Sequence, residues 1–158
     1  MSTLASVSNQ VEAVLGSNPI APGEDETPTL LIVSADAEVR DSLAEILEGH
    51  RTNIEWVRGA EAAKRLFDRG RIAACLCGFS VEDGSYRDVV KHAKRQSAEV
   101  PVIIVSTPDC PNEYREYLAA MNTGAFDFLC YPYQKSELER ILGSALIPFH
   151  RMNLSRHF

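Results

Sequence analysis

PVIIVS (101–106) is a continuous apolar run of mostly β-branched residues, entered by a proline and too short for a helix. A run of this kind suits a strand covered on both faces, as in the middle of a parallel sheet. Working outward, the same punctuation repeats. On the N-terminal side a helix is expected over about Tyr86–Ala98, with Val89, Val90 and Ala93 on its buried face. IAACLC (72–77) is a second apolar run, broken by Gly78 and then by Asp83-Gly84. Before it comes a helix over Ala60–Arg69, with Ala63, Leu66 and Phe67 inward and Gly70 placed to end it. Ile54–Val57 reads as a weaker strand. TLLIV (29–33) opens the series, followed by a helix that Asp36 can N-cap and whose Val39, Leu43, Ile46 and Leu47 share a face.

On the C-terminal side of PVIIVS, a helix is expected over Asn112–Asn122 with Tyr114, Leu118 and Met121, and Gly124 as its stop. FDFLC (126–130) is the last strand. Ser136 and Glu139 have capping-box spacing ahead of Leu138, Ile141, Leu142, Ala145 and Leu146, and Pro148 ends or kinks that helix. Five strands alternating with five helices predict an α/β fold, a three-layer, doubly wound, five-stranded parallel sheet, because parallel strands need right-handed crossovers. Ligands in such folds bind at the carboxyl ends of the strands. The residues to interrogate are therefore Ser34–Asp36, Cys77–Ser80, Ser106–Asp109 and Cys130–Tyr133.

The 158 residues are 45% apolar and 24% charged, which suits one globular domain with tails. Residues 1–28 hold Glu12, Glu24, Asp25 and Glu26 with no Lys or Arg, among prolines and glycines, and read as a disordered acidic tail. A turn of helix over Val11–Leu15 is the one candidate docking segment in it. Residues 29–147 form the domain and 148–158 a short C-terminal extension that leans basic. The net charge of −6 argues against a nucleic-acid partner. No run reaches the roughly 18 apolar residues of a membrane helix, and no signal peptide opens the chain. A cytoplasmic location with reduced thiols is expected.

Four segments carry a resemblance to the receiver domain of bacterial response regulators. LLIVSADAEVRDSLAEIL (30–47) looks like the opening strand and helix, and VEDGSY (81–86) stands where that family usually reads Leu-Pro-Asp-Gly. PVIIVST (101–107) resembles the fourth strand with its switch hydroxyl, and GAFDFLCYPY (124–133) is similar to Gly-Ala-x-Asp-Tyr-Leu-x-Lys-Pro-Phe. The resemblance implies a flavodoxin-like (CheY-like) strand order and a phosphoryl group taken from a histidine kinase. That chemistry uses a strand-end carboxylate nucleophile, Mg²⁺ held by acidic residues, and a lysine and a hydroxyl on the phosphoryl oxygens.

Position by position, this chain departs from the pattern. The acidic pair falls on Ser34 and Ala35, leaving Asp36 as the nearby acid, and the phospho-acceptor position falls on Gly78. No Asp or Glu lies anywhere in Ile72–Val81. The lysine falls on Tyr131, followed by Pro132; Ser106 keeps the switch hydroxyl, and Phe128 takes the aromatic switch position without a phenol oxygen. The expectation is a non-enzymatic pseudo-receiver without cofactor. It acts in two-component or phosphorelay signalling through protein–protein contacts with a histidine kinase, another regulator or a second copy. Tyr114, Tyr117, Phe128, Tyr131 and Tyr133 are its candidate interface, with the Tyr131 ring filling the old anion pocket. Two alternatives stand beside it. One is a conventional Mg²⁺-dependent receiver with a relocated acceptor, Asp83 or Asp36. The other is a thiol redox or metal-sensing site, with Cys77, Cys110 and Cys130 near the ends of neighbouring strands and Cys75 on the same strand face as Cys77.

Overall fold

The computed structural model describes residues 27–96, 99–107 and 113–156. The expected tail, including Val11–Leu15, falls almost wholly outside these, as does Cys110. In chain order the elements are β1 (Thr29–Val33), α1 (Ala37–Leu47), β2 (Asn53–Val57), α2 (Ala60–Asp68), β3 (Ile72–Gly78), β4 (Ser80–Val81), β5 (Gly84–Ser85), α3 (Tyr86–Lys94), β6 (Val102–Val105), α4 (Glu113–Thr123), β7 (Asp127–Leu129), α5 (Lys135–Ala145) and α6 (Ile147–Arg156).

Five strands form one parallel sheet in the order β2-β1-β3-β6-β7. Because side chains alternate across a strand, TLLIV serves both layers at once. Leu31 and Val33 pack with Ala63 and Phe67 of α2, Val89 and Ala93 of α3 and Ala120 of α4. Leu30 and Ile32 pack with Val39 and Leu43 of α1 and Leu138, Ile141 and Leu142 of α5. All four strand residues are fully buried, which explains why the run carries no polar alternation. The outer strand β2 is exposed over Asn53–Glu55 and correspondingly less apolar.

Local chemistry sets most boundaries. Asp36 caps α1, its carboxylate accepting from the Glu38 amide at 2.9 Å. Gly70 and Gly124 take the positive φ that ends α2 and α4. Two readings need correction. The Ser136/Glu139 capping box does not form: α5 starts at Lys135, with Gln134 as an N-cap lacking a side-chain bond, because the Leu138 amide already reaches the Gln134 carbonyl. A capping box does form at Ser85 and Asp88, at the start of α3. Finally, residues 147–156 are not a free extension but helix α6, with Pro148 in its first turn, where its missing N–H costs nothing, and Phe149 packed on the α1/α5 layer.

Candidate functional site

The carboxyl ends of β1, β3, β6 and β7 meet where the sequence places the site. Ser34 follows β1 directly and is buried. Its Oγ accepts from the Asp36 amide at 3.0 Å and donates to the Asp36 carbonyl at 3.2 Å. Its own carbonyl accepts from the Trp56 indole Nε1 at 3.2 Å. Opposite stands Gly78, where an added Cβ would meet Ser34 Oγ at 3.5 Å, an ordinary contact. The two positions face each other across the β1–β3 ladder with no carboxylate between them.

The acids nearby hold backbone amides. Asp36 caps α1. Asp83, at the tip of the β4–β5 hairpin, accepts from the Ala60 amide and from the Glu61 amide, capping α2 from a distance of 23 residues in sequence. Gly59 makes this possible, because a Cβ there would overlap the Asp83 carboxylate. Glu82 pairs with Arg58 Nε at 2.7 Å, and the same guanidinium donates to the Ala35 carbonyl at 2.9 Å. The Ala35 amide donates to the Ser80 carbonyl, and Arg40 and Arg58 stack against the Trp56 ring. Hairpin, β2–α2 turn and β1–α1 turn are thus tied together over the strand ends.

A divalent cation of the kind receivers use needs several oxygen ligands in an octahedral shell. Here Ser34 Oγ, the Asp36 carboxylate and the Ala35 carbonyl all hold internal partners, and a guanidinium stands at the carbonyl. These residues do not fit Mg²⁺, and among the described residues no cluster of His, Cys, Asp and Glu has metal-binding geometry.

The other half of the site is equally occupied. Ser106 is fully buried and its Oγ accepts from the Tyr131 amide at 2.8 Å; its carbonyl accepts from the Tyr133 hydroxyl. Burial, with the charges of Asp36, Tyr131 and Glu38 adding to it, pushes the Tyr133 hydroxyl above the ordinary tyrosine range. The Tyr131–Pro132 peptide is cis. Of the candidate interface residues, Tyr133 and Phe128 are therefore buried and unavailable, while Tyr114 is 73% and Tyr117 40% exposed. Tyr131 is half-buried, its ring edge-on to Tyr133 and packed toward the α1/α5 layer. Phe79, which sequence reading passed over, packs against Tyr86 and Phe128, and Phe128 against Tyr117. This aromatic string joins the base of the hairpin to the outer face of α4. Its signal was an aromatic directly after the strand-ending Gly78.

Cys110 lies outside the described residues, and Cys130 packs, half-buried, against the same layer as Cys75 and Cys77. Cys75 and Cys77 do share a face, but it is the buried α2/α3/α4 layer, where desolvation raises both thiols far above the reactive range and Cys77 donates to the Gly78 carbonyl. His92 pairs with Asp68 at 2.8 Å and His50 with Glu139 at 2.9 Å, both far in sequence and away from the strand carboxyl ends.

The strand order, the two helical layers and the strand-end loops define the fold of response-regulator receiver domains. In sequence the chain is similar to the response regulator protein PilR of Pseudomonas aeruginosa, at 26% identity over 116 residues, covering 73% of this chain and 25% of that protein. It spans about a quarter of the length of the curated relatives it matches. Among solved structures it is similar to a response regulator receiver domain protein from Clostridium thermocellum, with TM-score 0.65, 18% identity and coverage of 80% and 98% of the two chains. The receiver domain of the sensor histidine kinase PA1611 from P. aeruginosa, with a magnesium ion in its active-site cleft, gives TM-score 0.64 at 21% identity, covering 75% and 97%. No family model matches the sequence. Among the described residues, no helix is long and apolar enough to cross a membrane.

Proposed function

We propose that this chain is a phosphorylation-independent receiver, a non-enzymatic module of two-component or phosphorelay signalling that works by protein–protein contact in the cytoplasm. One observation carries the reading: the strand-end site is saturated from within. Gly78 stands where a nucleophilic carboxylate would attack, and two acids of the neighbouring loops, Asp36 and Asp83, hold helix amides. An acid at an N-cap is stabilised as the carboxylate by those amides, and conversion to an acyl phosphate would remove the charge they hold. The position of the phosphate-binding lysine is an aromatic, and the retained hydroxyl of Ser106 is committed to a backbone amide. No cofactor is needed for such a role.

Similarity to a response regulator supports the signalling setting, and the partner is a histidine kinase, another regulator or a second copy. The contact face is the outer side of α4, where Tyr114, Tyr117 and Leu118 are exposed together. Aromatic residues in this state supply interface cores, since they bury much area for little lost side-chain freedom. The test is intact-mass analysis after incubation with an acyl-phosphate donor and Mg²⁺, beside a working receiver. No added phosphoryl mass is expected while the control is modified. A stoichiometric, hydroxylamine-labile adduct on Asp36 or Asp83 would overturn the reading.

A further inference from the structure

The opposite end of the sheet carries a feature that the strand-end site does not explain. β1 and β3 start level with one another, Thr29 beside Ile72, whereas β6 starts at Val102 beside Cys75 and β7 at Asp127 beside Ile103. The amino edge of the sheet is therefore stepped back by about 10 Å under β6 and β7, three residues at strand rise. The step leaves a groove of about 480 Å³ between the ends of α3 and α5. Val90, Val100, Val102, Ala125, Phe126 and Pro148 give it an apolar lining, and Phe126 is 41% exposed there. Lys94 lies across its wall, its stem running over the space that the missing side chain of Gly124 leaves, to reach Glu99 at 3.1 Å. Lys91 and Arg95 on the same turn of α3 and Arg151 on α6 are exposed and hold no carboxylate among the described residues.

We propose that this groove is the docking site of the chain's own N-terminal segment, with Val11, Val14 and Leu15 in the apolar lining and the acids of the segment against Lys91, Arg95 and Arg151. Three observations select this occupant. The segment departs from the right end: Pro28 is tied to Asn53 at the amino edge of β1, two strand spacings, about 10 Å, from β6. Residues 16–28 then make a connection that can span up to about 40 Å. Charge matches, since residues 1–28 hold four acids, Glu12 in the docked stretch and three in the connection, and no Lys or Arg, while the exposed Lys91, Arg95 and Arg151 follow closely on Val90, Lys94 and Pro148 of the lining. The pattern matches too: Val11, Val14 and Leu15 recur at one-face helical spacing around Glu12. Tethering supplies the affinity. A short connection holds the segment at an effective concentration of the order of millimolar, so a weak contact is populated within one molecule.

The experiment places the photo-cross-linker benzoyl-phenylalanine at Val14 of the full chain, in a mixture of ¹⁴N- and ¹⁵N-labelled molecules. Expected are cross-links within one molecule to residues 94–102, 124–126 and 147–151, lost in the Lys91→Glu/Arg95→Glu variant, whose two exposed positions leave the core intact. Cross-links between isotopic species would make a second copy the occupant and overturn the proposal. So would cross-links spread over the surface, or none. As a second, probe-free measurement, the Val14→Asp/Leu15→Asp chain is compared with the native one by amide chemical shifts. Shifts confined to the groove are expected; unchanged groove resonances overturn the proposal independently.

Discussion

The two ends of the parallel sheet were built from the same kind of strand and came out chemically opposite. At the carboxyl end four polar side chains around the β1–β3 gap have internal partners: Ser34 with the Asp36 backbone, Asp36 with α1, Asp83 with α2, Ser106 with Tyr131. At the amino end an apolar groove and unmatched cations face outward. The contrast teaches that a strand end without a carboxylate at position 78 need not leave a hole. Short side chains at 34, 35 and 78 let the backbone close, and the remaining acids migrate to helix ends, where a carboxylate is most useful to stability.

If the carboxyl end is closed in this way, restoring its missing carboxylate will do harm. Gly78→Asp places an ionised group in a buried site against Ser34 with no cation or donor to hold it, and should cost about 3 kcal/mol in denaturant unfolding. It should also remain unphosphorylated in the intact-mass assay. A stable, phosphorylated Gly78→Asp chain would break the comparison. Gly59→Ala should cost about 1–2 kcal/mol, because its Cβ expels the Asp83 carboxylate from the α2 cap. Asp83→Ala should cost about the same, and the double variant little more than either, since all remove one interaction.

Tyr133→Phe leaves the Ser106 carbonyl without its hydroxyl donor and should cost about 1 kcal/mol. It should also change the alkaline limb. The folded state holds the Tyr133 proton above the unfolded tyrosine pKa, so its contribution is full below that pKa and is lost as pH rises through the folded one. Absorbance at alkaline pH should show a late tyrosine step coincident with unfolding, absent in the variant. The amino end titrates the other way. Hydrogen bonds from His92 and Gln96 hold the Asp68 carboxyl below its ordinary value, so what it contributes is present above that value and fades as pH falls through the lowered one. The smallest effect belongs to the groove. Phe126→Ser at a 41% exposed ring should change stability by less than about 1 kcal/mol.

Much of the frame was legible because burial on both faces writes itself as apolar runs. PVIIVS, IAACLC and TLLIV became β6, β3 and β1, and Asp36, Gly70 and Gly124 punctuate as their chemistry demands. The site was legible as a set of departures, since an absent carboxylate can be read directly at Gly78. What escaped had one local and one tertiary cause. The α5 start moved because Gln134 already offers its carbonyl to the Leu138 amide, and α6 persists because Phe149 packs on the layer that α1 and α5 share.

By itself the sequence determined the two helical layers, the five strands of the parallel sheet and the lack of an acid throughout residues 72–81, because periodicity and residue identity act within a few positions of the chain. Only the tertiary structure decided that Asp83 caps a helix 23 residues away, that Tyr133 and Phe128 are buried while Tyr114 and Tyr117 are presented, and that the late start of β6 and β7 opens a groove. Each of these depends on the register and crossover of distant segments. A carboxylate, a ring or a strand end acquires its role from the partner that folding brings to it.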